Sequence, residues 1–141
     1  MENEKDVMSW KEVDITIHNI ACKLKGAGFK FAEVVGIGNG GLVPARLIAR
    51  DLEIDDIDFI PVKAGRIITN YNFRLEQKRK YLVIDDILDT GNTYRHISEY
   101  LMEYDCTFAF CVARIYYPNV YTGKVLKHKK WVVFPWEKNN H

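Results

Sequence analysis

Residues 82–93, LVIDDILDTGNT, form the densest group of side chains in the chain that could do chemistry. Two adjacent carboxylates, Asp85 and Asp86, follow an apolar run, and a third, Asp89, comes shortly after them. Thr90 and Thr93 lie where a helix is expected to begin, and the backbone N–H groups and dipole of a helix start attract anions. Carboxylates beside a bound phosphate would repel it unless a cation or sugar hydroxyls lay between them. The segment therefore predicts a phosphorylated sugar as the ligand, held with Mg²⁺.

Three competing hypotheses for this segment have less support in the sequence. Asp89 or Thr90 could simply cap a helix, although capping alone does not explain three acids beside a Thr-Gly-Asn-Thr run. An apolar strand that ends in Asp is also typical of nucleoside triphosphatases, but the chain contains no GxxxxGK[ST] phosphate loop. Receiver domains carry their acidic pair on the first strand, whereas Asp85 and Asp86 end the third predicted strand.

The elements that must position these residues follow from the hydrophobic pattern. It predicts strands at residues 31–37, 57–62, 81–85, 106–116 and 131–134. It also predicts a helix that begins after a Ser9 cap and ends near Gly26 and Gly28, a helix over residues 42–52, and a third helix after a turn at residues 89–93. Residues 63–80 are predicted to be irregular, with a small hairpin in which Ile67, Ile68 and Phe73 flank a turn at residues 70–72, and residues 118–130 to be a polar loop.

Strands that alternate with helices predict an α/β fold, a single domain over residues 1–141 with a parallel twisted sheet and helices on both faces. In open sheets of this kind, ligands bind at the carboxyl ends of the strands. The glycine-rich turn at residues 38–41, the acids of residues 85–93 and the segment around residues 132–137 all fall at predicted strand ends. We therefore expect them to meet at one edge of the sheet.

Length, net charge and cysteine spacing exclude several classes of function. The length of 141 residues suits one core, and the formal net charge of +1 offers no general field for nucleic acid or an anionic membrane. No apolar run approaches the roughly 18 residues of a membrane span, and the start MENEKDVMSW lacks the pattern of a signal peptide. The three cysteines have no CxxC spacing. These features predict a cytoplasmic protein without a zinc site, and with neither nucleic acid nor membrane as a partner.

Residues 82–93 resemble the motif by which type I phosphoribosyltransferases bind 5-phosphoribosyl 1-pyrophosphate (PRPP). Two further segments are similar to the purine branch of that family in order and spacing. GIGNGGLVPARLIAR, residues 36–50, resembles its pyrophosphate loop and the helix that follows. WVVFPWE, residues 131–137, resembles the C-terminal segment of the xanthine, guanine and hypoxanthine enzymes. The resemblance implies a type I phosphoribosyltransferase-like fold with a small hood from the C-terminal segment.

The resemblance also implies a role for each matching residue. Asp85 and Asp86 would face the ribose hydroxyls and Mg²⁺, and Glu137 would help to hold a second Mg²⁺. The 5′-phosphate would be bound by Asp89, Thr90, Gly91, Asn92 and Thr93, and Asp89 would also be the catalytic acid or base near N7 of the purine. The pyrophosphate would be bound by the backbone amides of Gly38, Asn39, Gly40 and Gly41. The base would stack on Trp131 and be contacted by the backbone of Val132.

Three sites depart from the usual family pattern. Asn39 replaces an arginine that the pyrophosphate loop often has, and a cis peptide bond, which the family often has there, would fall just before it. Ala64 and Gly65 stand where many purine enzymes have Ser-Tyr at the start of a mobile loop. Tyr117 stands where relatives have a lysine for the purine 6-oxo group. Because its hydroxyl can donate a hydrogen bond to a carbonyl, Tyr117 is predicted to contact the base.

The leading hypothesis is therefore an enzyme that transfers the phosphoribosyl group from PRPP to xanthine, guanine or hypoxanthine and releases pyrophosphate. The alternative is a nucleotide- or PRPP-sensing regulatory protein of the same fold with little catalytic activity, which the three departures would suit. A third hypothesis, an enzyme for adenine or a pyrimidine, has less support because WVVFPWE resembles the 6-oxopurine branch. The resemblance implies Mg²⁺ as the cofactor, PRPP and a purine base as partners, and a homo-oligomer.

Overall fold

A five-stranded parallel sheet forms the centre of the molecule, as seen in a computed structural model that describes residues 4–68 and 75–137. Its strands, in spatial order, are β3 (Ile57–Ile60), β2 (Glu33–Ile37), β6 (Lys80–Leu88), β7 (Asp105–Ala113) and β8 (Val120–Val125). The helices are α1 (Trp10–Gly26), α2 (Leu42–Leu52) and α3 (Asn92–Tyr100). Two short pairs complete the described elements: β1 (Lys5–Val7) with β9 (Trp131–Val133), and β4 (Val62–Lys63) with β5 (Arg66–Ile67).

The central strands are buried on both faces because their side chains alternate between two hydrophobic clusters. Val34, Leu82 and Ile84 point to the face that α1 and α2 cover. Val35 and Val83, each one residue out of phase, point to the opposite face with residues of α3. This period of two is what a parallel sheet between two helical layers requires. The predicted parallel sheet with helices on both faces is confirmed.

The first helix begins as the sequence predicts. The Ser9 hydroxyl accepts a hydrogen bond from the Glu12 backbone N–H at 3.1 Å, and the Glu12 carboxylate accepts one from the Ser9 backbone N–H at 2.8 Å. This reciprocal pair satisfies two N–H groups that the helix itself cannot. By contrast, α3 begins after Gly91 without a side-chain capping bond, so the acids of residues 85–89 do not serve as its cap.

Two segments in the last quarter of the chain differ from their predictions. Residues 120–125, predicted as part of a polar loop, form β8 and pair in parallel with β7. Residues 131–133 lie outside the main sheet and pair with β1, an N-terminal strand that the hydrophobic pattern does not reveal. The hood over the sheet edge is therefore built from both ends of the chain and not from the C-terminal segment alone.

The connection between β3 and β6 also differs in part. A small hairpin is present, but it joins β4 to β5 through Ala64 and Gly65, with Val62 opposite Ile67. The turn of the hairpin predicted at residues 70–72 lies outside the described residues. Strand β6 continues to Leu88, beyond the predicted end at Asp85, because Ile87 and Leu88 keep their pairing with β7. Within the described residues, no helix combines the length and apolar character that crossing a bilayer would require.

Candidate active site

The paired carboxylates project from the second half of β6, the central strand. The Asp85 carboxylate accepts a hydrogen bond from the Asp86 backbone N–H, and the Asp86 carboxylate accepts one from the Ile87 backbone N–H, both at 2.7 Å. Burial, together with the negative charge of Asp86, raises the pKa of Asp85 well above its usual range. Burial also raises the pKa of Asp86, and the charge of Glu137 adds to that effect. The pair is thus an electrostatically costly arrangement that a cation or sugar hydroxyls would relieve.

The glycine-rich turn after β2 packs directly against this acidic pair. Residues 39–41 form a single 3₁₀ turn after Gly38, which has a φ of +60°. A Cβ atom at Gly40 would lie 2.3 Å from Oδ2 of Asp86, so only glycine fits there without a shift. The peptide bond before Asn39 is trans, which differs from the cis bond that the resemblance implies. The turn predicted to hold pyrophosphate therefore lies against Asp86, one of the two carboxylates predicted to face the ribose.

A cavity of about 190 Å³ opens between the end of β6 and the start of α3. Its lining contains both paired acids and most of the residues predicted to hold the 5′-phosphate: Asp85, Asp86, Asp89, Thr90, Gly91 and Thr93. Thr90 shapes the turn, since its hydroxyl accepts a hydrogen bond from the Asn92 backbone N–H at 3.3 Å. The Asn92 side chain does not line this cavity and instead accepts a hydrogen bond from Arg95.

A second cavity of about 190 Å³ lies under the hood. Its lining includes Asp86, Asp89, Arg114, Trp131, Val132 and Glu137. The Trp131 side chain is open to solvent, with 69% of the residue exposed, whereas Val132 is buried. The carboxylate of Glu137 accepts a hydrogen bond from the Phe134 backbone N–H at 2.9 Å, which fixes it at the rim. The two cavities share Asp86, Ile87 and Asp89, so they adjoin along the acidic end of β6.

The hood that carries Trp131 is held in place by the N-terminal strand. Lys5 pairs with Trp131 and Asp6 with Val132 in the β1–β9 register. The Asp6 carboxylate also lies 2.8 Å from Nε2 of His128, just before β9. The predicted aromatic platform therefore depends on residues more than a hundred positions away in the sequence, and no local motif signals this.

Tyr117, predicted to contact the base, lies beside residues 89–93, the turn predicted to hold the 5′-phosphate (the phosphate turn). Its hydroxyl accepts a hydrogen bond from Nη1 of Arg95 at 3.2 Å, and its ring centroid is 4.8 Å from that of Tyr94. A Cβ atom at Gly91 would lie 2.6 Å from the same hydroxyl. The structure thus places Tyr117 against the phosphate turn and not among the described residues that line the cavity of Trp131.

Two arginines at the site were not predicted as site residues. Arg95 lies one turn into α3 and binds both Asn92 and Tyr117 beside the phosphate turn. Arg114 directly follows β7, and its Nε donates to Oδ1 of Asp89 at 2.9 Å. The signal that could have found Arg114 is its position: it is the first residue after a strand that ends at the ligand-binding edge.

The acidic pair also meets the requirements of the Mg²⁺ ion that the resemblance implies. Among residues 4–68 and 75–137, no group of three or more His, Cys, Asp or Glu side chains is arranged to enclose a metal ion. Mg²⁺ usually takes only one or two protein carboxylates and completes its shell with water and substrate phosphates. Asp85 and Asp86 would supply those two carboxylates, and burial raises the pKa values of both, so a bound cation would stabilise their charged forms.

Fold and site together define a class of protein. A parallel α/β sheet presents an acidic strand end, a glycine turn and a helix start at one edge, which is the arrangement of a protein that binds a phosphorylated sugar. The family model described as "Phosphoribosyl transferase domain" matches residues 7–140 of the chain. The chain belongs to this family and is a phosphoribosyltransferase.

Individual relatives narrow the family to its purine branch. The chain is 25% identical to the xanthine-guanine phosphoribosyltransferase of Idiomarina loihiensis, over 99% of this chain and 91% of the relative. A purine phosphoribosyltransferase from Pyrococcus horikoshii superposes with a TM-score of 0.79 at 26% identity, over 97% of each chain. A Neisseria gonorrhoeae protein with bound ppGpp superposes at 0.81 with 20% identity, over 99% of this chain and 93% of that one, and shows the shared fold alone. The resemblance to purine phosphoribosyltransferases is confirmed.

Proposed function

We propose that this purine phosphoribosyltransferase acts in purine salvage and transfers the 5-phosphoribosyl group from PRPP to a 6-oxopurine: xanthine, guanine or hypoxanthine. The observation that carries the proposal is the pair of adjoining cavities that share Asp86, Ile87 and Asp89. One cavity has the polar turn that suits a sugar phosphate, and the other has an aromatic side chain and a buried strand backbone that suit a flat base. Their common wall is where the two substrates would meet.

In this proposal, the first cavity binds PRPP. Thr90, Gly91 and Thr93 would surround the 5′-phosphate, with Asn92 contributing its backbone at the start of α3. Asp85 and Asp86 would accept hydrogen bonds from the ribose hydroxyls. The backbone of Gly38, Asn39, Gly40 and Gly41 would contact the pyrophosphate, and the close approach of Gly40 to Asp86 would bring it near that carboxylate. Mg²⁺, held by Asp85 and Asp86 with Glu137 near a second ion, would neutralise charge on the leaving pyrophosphate.

The second cavity would bind the base. Trp131 offers an exposed aromatic face for stacking, and the backbone of Val132, the next residue in the same lining, would contact the edge of the stacked ring. Asp89 lies in the wall between base and sugar. When a base nitrogen bonds to C1 of the ribose, the C1–pyrophosphate bond breaks and its electron pair leaves with pyrophosphate. The Asp89 carboxylate would then accept the proton that the base loses at N7.

Pyrophosphate release from PRPP and Mg²⁺ tests this proposal, with xanthine, guanine, hypoxanthine and adenine supplied one at a time. We expect release with at least one 6-oxopurine and little with adenine. Asp89→Asn should lower kcat by about 100-fold or more while the protein stays folded, because general-base catalysis contributes on this scale. Asp105→Asn is a matched control, since Asp105 is also 54% exposed and ion-paired, but lies at the opposite end of the sheet.

The same assay separates the enzyme from the sensing alternative. Family membership and the purine relatives favour the enzyme. If no base supports release while PRPP still raises the Tm, the protein would be a sensor and the proposed reaction would be wrong. Release with adenine alone would move the preference away from 6-oxopurines.

Two further expectations concern the cellular compartment and the oligomeric state of the enzyme. The free cysteines Cys22, Cys106 and Cys111 suit a reducing compartment such as the cytoplasm. Exposed apolar side chains, among them Trp10 and Met102, are candidates for a contact in a homo-oligomer. Sedimentation or size-exclusion measurements of the purified chain test the second expectation directly.

A further inference from the structure

Arg114 connects Asp89 to the segment before Trp131 in the second cavity, which would bind the base and is called the base cavity below. Its Nε donates to Oδ1 of Asp89 at 2.9 Å, its Nη1 to the His128 carbonyl oxygen at 2.5 Å and its Nη2 to the Lys130 carbonyl oxygen at 2.6 Å. The last two acceptors belong to the segment that leads directly into Trp131. One guanidinium group therefore joins the candidate proton acceptor to the candidate stacking platform.

The surroundings make this junction rigid. Only 15% of the Arg114 side chain is exposed, and its backbone N–H donates to the Leu88 carbonyl oxygen at 2.9 Å, which fixes it to the end of β6. A charge that is mostly out of water needs partners, and a planar guanidinium can hold several acceptors in one fixed geometry. Asp89 is far more exposed, with 54% of its side chain open, so Arg114 is the group that restricts its orientation.

Arg114 also supplies the positive charge of the base cavity. Among the described residues that line this cavity, the acids are Asp86, Asp89 and Glu137, and Arg114 is the cation. Tyr117, which the sequence suggested as the polar contact to the base, is held at the phosphate turn by Arg95. The cavity therefore obtains its basic group from a residue at the strand end.

We propose that Arg114 is a positioning residue for the base: it holds the Asp89 carboxylate at a fixed place relative to Trp131, so that a stacked base presents its nitrogen to Asp89. This inference rests on the proposed function, because it assumes that the cavity binds a base. It predicts that Arg114 acts through Asp89, and that its loss affects the use of the base far more than the binding of PRPP.

A double-mutant cycle on kcat/KM for the base tests this coupling. Arg114→Gln should lower kcat/KM for the base by about 100-fold, the cost expected of a displacement of about 1 Å in a reacting geometry. The KM for PRPP should stay within twofold of the wild-type value. In an Asp89→Asn background, the same Arg114→Gln change should cost less than about fivefold, because the side chain that Arg114 positions can no longer accept the proton. Arg114→Lys should restore part of the activity, since it keeps the charge but not the fixed three-way geometry.

Arg79→Gln is the matched control, because Arg79 also contacts several acceptors, among them Glu33 and Asp56, but near the opposite ends of the strands. It should lower stability without changing kcat/KM for the base. If the Arg114 and Asp89 effects multiply, or if the KM values for PRPP and base rise together, Arg114 has only a structural role and the inference is wrong. If Arg114→Gln does not fold, the cycle is measured with Arg114→Lys. An inactive wild-type protein would instead overturn the proposed function.

Discussion

Gly40→Ala tests how closely the glycine turn and the acidic pair depend on each other. The added Cβ atom would lie 2.3 Å from Oδ2 and 2.6 Å from Cγ of Asp86. Carbon and oxygen atoms in favourable contact are about 3.5 Å apart, so one side must move by about 1 Å. Gly40 does not have a positive φ, and the substitution therefore adds bulk without adding backbone strain.

The structure indicates that Asp86 will move and the turn will not. The turn is pinned to β6 at its next residue, where a Cβ atom at Gly41 would lie only 2.7 Å from the Ile84 carbonyl oxygen. Rotation of Asp86 breaks its 2.7 Å hydrogen bond with the Ile87 backbone N–H, a charge-assisted bond worth about 1.5–3 kcal/mol. Overpacking that leaves the bond intact costs a similar amount, about 1–3 kcal/mol. At roughly 3–4 °C per kcal/mol for a chain of this size, we expect the Tm to fall by roughly 3–12 °C.

The effect on activity should be larger than the effect on stability. A displacement of about 1 Å in a group that orients the substrate costs about 100-fold in rate, and we expect this loss in kcat/KM for PRPP. Pyrophosphate release and thermal unfolding are measured on the same preparations. Gly26→Ala is the control, since a Cβ atom there meets nothing within 4 Å, and alanine favours a helix end by up to about 1 kcal/mol. A Gly40→Ala protein with wild-type kcat/KM would refute the reasoning, because Asp86 would then have moved without consequence.

Two further predictions concern ionisable groups. Burial and the charge of Asp86 raise the pKa of Asp85, so its ionisation opposes folding: its contribution to stability is present at low pH and is lost as the pH rises through the raised value. Asp85→Asn should therefore abolish activity yet raise the Tm at pH 7.5. The gain should vanish near pH 3, and Asp55→Asn, an exposed control, should show no such trend. Burial raises the pKa values of Cys106 and Cys111 to about 12, so iodoacetamide at pH 8 should modify the native protein only at the exposed Cys22. Rapid native labelling of Cys111 would contradict its burial, and the unfolded chain should react at all three cysteines.

The sequence predicts those elements whose signal, such as a capping box or an apolar run, lies within one short stretch of the chain. Ser9 and Glu12 are three positions apart and form their capping box without any other part of the chain. The apolar run of β6 is uninterrupted because both faces are covered. Strand β8, VYTGKV, gives no such signal because it lies at the sheet edge and only part of it is buried. Its Gly123 permits a close approach to α1, where a Cβ atom would lie 2.4 Å from the Thr16 carbonyl oxygen. Because the sequence does not reveal this contact with α1, a glycine in a polar stretch predicts a loop.

In the site too, contacts between residues close in sequence are predictable, whereas contacts between distant residues are not. The residues of the phosphate turn are adjacent in sequence, so their meeting needs only one strand and one helix start. The Arg114–Asp89 pair depends on the parallel pairing of β6 with β7, which places the ends of both strands side by side. Tyr117 lies only three residues after Arg114, yet the chain has already turned back toward Gly91. The spacing of Arg114 and Tyr117 in the sequence does not reveal that the first contacts Asp89 and the second lies near Gly91.

The excess of carboxylates at the site gives a reason for binding phosphate through backbone N–H groups in the proposed function. Three carboxylates and one guanidinium line the base cavity among the described residues, and Asp85 lies just beyond them. An anionic substrate is repelled by such a lining if it arrives alone. In the proposed function, backbone N–H groups of the glycine turn and the start of α3 would attract phosphate without adding a side chain that neutralises the acids. The acids would therefore stay available for ribose hydroxyls and Mg²⁺, and the close approach of Gly40 to Asp86 would keep the two kinds of group within reach of one ligand.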